Sequence, residues 1–180
     1  MTPASAASAV GSGEWWAGML FAVALVTAVL GPLTGLAGLD PVRSLTGPFV
    51  RTTATFVACA GIIATFVTQL QMGASWRIGV DSAETTDLVT GGPFARVRNP
   101  IFSPVALTAL GLAMMVPNPV ALIGAGVLLV ALELLVRVVE EPYLQRIHGD
   151  AYSAYAARTG RFIPGVGKIR NDNDVREGAT

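Results

Sequence analysis

At 180 residues, with 52% hydrophobic and only 13% charged side chains, the chain carries about half the charge of a typical soluble domain and is set apart from that class. Twelve basic residues balance twelve acidic ones, so the net charge of +0 leaves no electrostatic footprint for a nucleic-acid partner. The length suits a single compact unit, and the lone Cys59, inside an apolar run, has neither a disulfide partner nor metal-ligand spacing.

Four apolar segments follow in order. The first, 15–39, is interrupted by Gly31 and Pro32; the second, 49–70, has charge only at Arg51. Each is close to the roughly 20 residues that a helix needs to cross a hydrocarbon core of about 30 Å. The third, 101–116, stops at Pro117-Asn118-Pro119, and the fourth, 120–139, carries Glu133 and Arg137 in its second half. A cleaved leader is the alternative for the first segment, but residues 1–13 contain no Lys or Arg. The expected fold is therefore all-α, a small polytopic transmembrane helical bundle of about four crossings with helices after the last one.

Four crossings leave both ends on one side. Arg77, Arg96, Arg98, Arg146, Arg158, Arg161, Lys168, Arg170 and Arg176 fall on that side, against Arg43 and Arg51 on the other. The asymmetry predicts a cell-membrane protein with both termini and the 71–100 connection in the cytoplasm. Orientation alone accounts for the basic residues of the tail, 166–180, which reads as polar and flexible. The 71–100 connection is long for a linker and holds Trp76, Arg77, Ile78, Val80, Leu88 and Val89. Trp76-Arg77 reads equally well as an interfacial anchor or as part of a packed wall over a site.

Glu133, Arg137 and Glu140 lie at i, i+4 and i+7, on one face of an ideal helix. An ionised side chain in hydrocarbon costs about 2.5–3.5 kcal/mol on the mildest scale, so these groups should meet protein or water. A self-neutralising Glu133–Arg137 pair explains two of them; adjacent Glu140-Glu141 leave a carboxylate needing another partner. Pro142 fits the first turn of a new helix, and 140–165 reads as an amphipathic helix pair interrupted at Gly149-Asp150. His148, the single histidine, fits a cap or a solvent-facing position better than a metal site. No serine elbow, HExxH or phosphate loop is present.

Gly92-Pro93-Phe94 and Val97-Arg98-Asn99-Pro100-Ile101-Phe102 form one motif. Arg137, Glu140-Glu141, Leu144, His148-Gly149-Asp150, Tyr152, Tyr155, Arg158 and Arg161-Phe162-Ile163-Pro164 form a second. Together, over about residues 73–165, they resemble the isoprenylcysteine carboxyl methyltransferase group of membrane methyltransferases. Phospholipid methyltransferases are similar in the same region, and some membrane sterol reductases share a related architecture. The resemblance implies S-adenosylmethionine bound on the cytosolic side, with membrane lipid around the chain and a hydrophobic small-molecule or lipid-like acceptor approaching from the bilayer. It implies that Val97, Arg98, Asn99 and Pro100 border the cofactor and that Glu141 meets its amino group or ribose. Tyr155 and Arg158 would then close the pocket.

The chain departs from the family at Asn99 and Phe102, where histidine and tyrosine are frequent, and at Pro104, where glycine is. Asparagine cannot act as a charged acid or base, which suits a carboxylate acceptor, already ionised and needing alignment. Arg98 and Arg77 are the candidates to orient it. A phenol or amine acceptor would need a base, with Glu140, Glu133 and Tyr152 as candidates. A nicotinamide-dependent membrane reductase and a non-enzymatic membrane binding protein are the competing expectations.

Overall fold

The computed structural model describes residues 13–72 and 88–169, and every described element of regular structure is helical. Trp76 and Arg77 therefore lie outside the described residues. The chain divides into two compact units, Met1–Ile63 with Pro104–Glu141, and Ala64–Ser103 with Pro142–Thr180.

The helices are α1 (Gly13–Leu36), α2 (Pro48–Met72), α3 (Phe102–Met115), α4 (Pro119–Leu134) and α5 (Glu141–Arg158). Short 3-10 turns form at Arg43–Leu45 and Gly92–Ala95, and a π-helical turn at Leu135–Glu140 joins α4 to α5. Three helical runs are long and apolar enough to cross a membrane: Trp15–Leu36, Pro48–Gln71 and Pro119–Arg158. The third apolar segment of the sequence forms only the 14 residues of α3. At 1.5 Å per residue that is about 21 Å, short of a full hydrocarbon core. Gly31-Pro32 does not interrupt α1, which runs through Pro32. Proline is tolerated within membrane helices; the carbonyl of the residue before it, Gly31, accepts from Thr34 Oγ1 and Asn118 Nδ2.

The first unit is held together by small residues. Gly124 of α4 faces Thr27 of α1 so closely that a Cβ would stand 2.5 Å from the Thr27 hydroxyl. Ala17 and Ala24 on α1, and Ala121, Ala125 and Ala131 on α4, are buried. Large side chains turn the other way: Val29, Phe49, Phe56 and Ile63 are exposed. Lipid tails supply no hydrophobic drive between helices, so close backbone approach through small residues is the expected way to pack. Ala113 of α3 packs with Ala121 and Ala125 across the Pro117-Asn118-Pro119 turn. Asn118 caps α4 by accepting from the Ala121 N–H at 2.9 Å, with Pro119 at the first helical position. The Val42 N–H donates to the Pro117 carbonyl at 2.8 Å, so the α1–α2 connection lies against the α3–α4 turn.

The π-helical turn corrects one sequence expectation. The Glu141 N–H reaches back five residues to the Val136 carbonyl, and such a turn absorbs extra chain relative to an α-helix. Arg137 Nε still donates to Glu133 Oε1, but the wider turn rotates Glu140 off their shared face. Arg137 is exposed, whereas Glu140 is half-buried.

The second unit is built on α5. Its helix breaks at Gly149, whose φ of 49° and ψ of −124° suit glycine alone; the interruption expected at Gly149-Asp150 is present. Gln145 Nε2 donates across the break to Ser153 Oγ at 2.9 Å. Tyr152, Tyr155 and Ala156 form the core, with Leu88, Phe94, Leu144 and Ile169 against it. Residues 166–169 differ from the flexible tail that the sequence suggests: Ile169 packs on this core and its N–H donates to the Ala156 carbonyl. The polarity that marks a tail begins only after Ile169.

Candidate active site

The Arg98-Asn99-Pro100 stretch runs beside the chain leaving α5. Val97 and Gly160 form a parallel bridge, the Arg98 N–H donates to the Gly160 carbonyl at 2.8 Å, and the Asn99 N–H to the Arg161 carbonyl at 3.0 Å. Gly160 is required there, since a Cβ would stand 2.1 Å from the Ile163 carbonyl oxygen.

Arg98 is 6% exposed and its guanidinium points at main chain. Nη1 donates to the carbonyls of Ala156 (3.0 Å) and Thr159 (2.6 Å), and Nη2 to that of Gly167 (2.9 Å). The last carbonyls of a helix have no partners within it and sit at its negative end, so a buried cation there satisfies both bonding and dipole. Arg98 thus fastens the end of α5 to the 160–167 loop. Tyr155, also buried, donates its hydroxyl to the Phe94 carbonyl at 2.7 Å. Burial raises its phenol to about 12, with the Arg98 charge acting more weakly in the opposite direction, so it stays protonated as a donor. Ser103 Oγ closes the frame, donating to the Phe162 carbonyl at 2.6 Å.

Of the residues proposed from sequence, Val97, Arg98, Asn99, Pro100, Tyr155 and Arg158 belong to this second unit, and Glu140 and Glu141 end the first. Val97 and Pro100 are buried, Asn99 is half-buried, and Arg158 is exposed. Arg77 lies outside the described residues. No described group of three or more His, Cys, Asp or Glu could hold a metal ion. Sequence reasoning missed Ser103, Thr159, Gly160 and Gly167. The Arg158-Thr159-Gly160 ending carried the ordinary signal of a helix stop, but nothing in it said that Arg98 would supply the cap.

No curated protein and no solved structure matches the chain. The phospholipid methyltransferase family model matches residues 50–151, which takes in the Arg98-Asn99-Pro100 stretch and Glu140-Glu141 and ends before Tyr152, Tyr155 and Arg158. Covering more than half of the chain, that match makes this protein a member of the phospholipid methyltransferase family.

Proposed function

We propose that the protein is an S-adenosylmethionine-dependent membrane methyltransferase, of the isoprenylcysteine carboxyl methyltransferase type, acting on a hydrophobic or lipid-like carboxylate from the cytoplasmic face. The observation that carries the reading is the family match over residues 50–151. The cofactor, when bound, supplies a methyl group on a positively charged sulfur. Its ammonium calls for an anion and its carboxylate for a cation, and Glu141 and Arg158 are of the right charge. Arg98, Asn99 and Tyr155 serve this reading as the frame: their hydrogen bonds fix main chain, and the backbone of Val97–Pro100 is thereby preorganised.

A carboxylate acceptor, with a pKa near 4, is already deprotonated at neutral pH. The protein then has only to strip water from it and align one oxygen with the methyl–sulfur bond; the C–O bond forms as the S–C pair departs to sulfur, and no proton moves. Asn99 in place of histidine supports this choice. The family name favours a second reading, a phospholipid headgroup amine. An amine must lose a proton on methylation, which Glu140 is the candidate to accept.

Calorimetry and a labelled-methyl assay test both levels. S-adenosylmethionine should bind the purified protein, and Glu141→Ala should weaken binding by roughly 2–5 kcal/mol if this carboxylate meets the ammonium. Unchanged affinity in a folded variant removes Glu141 from the site, and no binding by the wild type removes the function. With hydrophobic extracts as acceptor, mild alkali should release the label as methanol, as an ester requires; alkali-stable label would transfer the assignment to the amine.

A further inference from the structure

The loop after α5 is rigidly built yet shows apolar side chains outward. Ile163 is 61% and Val166 59% exposed, with Pro164 exposed between them. The backbone beneath them is fixed: the Arg161 N–H donates to the Val166 carbonyl (2.8 Å) and the Val166 N–H to the Ile163 carbonyl (3.0 Å). Gly165 and Gly167 take positive φ of 80° and 74°. Arg98 holds the Gly167 carbonyl, and Ser103 holds that of Phe162. A single exposed aliphatic residue needs no explanation. Two on one closed turn, held by four hydrogen bonds counting the Arg98 and Ser103 ties, are a constructed apolar tip.

Its place indicates what covers it. The bond from Ser103, which belongs to the same unit, fixes the loop at Phe162. The residues flanking the tip are basic and exposed, Arg158 before it and Lys168 after it. An apolar tip bordered by cations, on a chain with three helical runs long and apolar enough to cross a membrane, matches the boundary of a bilayer, where acyl chains meet anionic headgroups.

We propose that the Phe162–Gly167 turn is an interfacial wedge, with Ile163 and Val166 among the acyl chains and Lys168 on anionic lipid phosphate. It holds the end of α5 against the membrane surface. The inference needs the membrane reading but not the methyltransferase one.

The test uses the full chain in a Cys59→Ala background, with an environment-sensitive fluorophore on Ile163→Cys. The protein is reconstituted in phosphatidylcholine vesicles with and without phosphatidylglycerol. The wedge gives blue-shifted emission that acyl-chain spin-labelled lipid quenches, and quenching strengthens when phosphatidylglycerol is present. Lys168→Ala should lose most of that anionic-lipid increment while keeping the blue shift. Emission at the water-exposed position overturns the proposal. A blue shift without lipid quenching also overturns it, because the tip is then covered by protein, whether this chain or a second copy. Near-UV circular dichroism matching the parent protein confirms that the labelled variant is folded, and Val166→Cys gives the same reading at a second site on the turn.

Discussion

Arg98 shows how a residue picked out for chemistry can owe its presence to architecture. Its three carbonyl partners sit on the end of α5 and on Gly167; the Ala156 carbonyl also accepts from the Ile169 N–H, but removing the side chain takes this bond from the carbonyls of Thr159 and Gly167 as well as the cap from the helix. Each stranded buried group costs about 1–3 kcal/mol, which puts Arg98→Ala at roughly 3 kcal/mol or more. Arg98→Lys should recover only part of it, because an ammonium cannot reproduce the two-nitrogen fork. Thermal unfolding in detergent checks the order wild type, Lys, Ala, and equal stability of wild type and Ala would refute the clamp. If Arg98 only positions the site, Arg98→Lys should lower cofactor affinity in step with lost stability. A larger loss of affinity than of stability would show direct contact. The sequence made Arg98 conspicuous as a cation after a Gly-Pro turn, but its partners are main-chain carbonyls 58 to 69 residues away, which no side-chain pattern encodes.

At the scale of elements, apolar runs were the most legible feature: α1, α2 and α4 lie within a few residues of the segments read from hydropathy. The Pro-Asn-Pro turn and the Gly149 break were legible too, because proline and glycine act through local backbone geometry. The π-helical turn at Leu135–Glu140 was not, since it has no residue signature, and it displaced Glu140 from the face that ideal spacing gave it. Nor was the anchoring of residues 166–169, which depends on packing against Tyr152 and Tyr155. Asn118 is the element-scale residue to test. It is 1% exposed, caps α4, and donates to the Gly31 carbonyl of α1 at 2.6 Å. A lost cap costs about 1 kcal/mol and an interhelical hydrogen bond in a membrane about 0.6–1.7. Asn118→Ala should therefore lose about 2 kcal/mol in denaturant titration. Asn118→Ser keeps the capping oxygen and loses the reach to α1, so it should recover about half. A Ser variant no better than Ala would mean that the cap contributes little.

For the whole molecule, a prediction of sidedness rests on one bond and one charge count. The Val42–Pro117 hydrogen bond puts the α1–α2 connection and the α3–α4 turn on the same side of the first unit. The helices leaving those two connections must then return their other ends to the opposite side, whether or not the 14 residues of α3 cross completely. Ala113 of α3 packs with Ala121 and Ala125 of α4 on either side of the Pro117-Asn118-Pro119 turn. Glu133 and Arg137 pair with each other and both keep part of their side chains exposed, which lowers the cost of these two charges in a membrane. Arg43 and Arg51 lie in or beside the α1–α2 connection, and the sequence expectation assigns the larger basic set, Arg77 to Arg176, to the opposite side. Positive residues favour the cytoplasm, so the α1–α2 connection should face out and the segment after α5 should face in. In a Cys59→Ala background, Ser44→Cys should react with an impermeant maleimide in intact cells, and Lys168→Cys only after the membrane is opened. Both positions are exposed, so a missing reaction reports location rather than burial. Reaction of both from one side would break the pairing of the two connections, and reaction of Lys168→Cys alone in intact cells would invert the molecule and move the proposed cofactor site away from cytoplasmic S-adenosylmethionine.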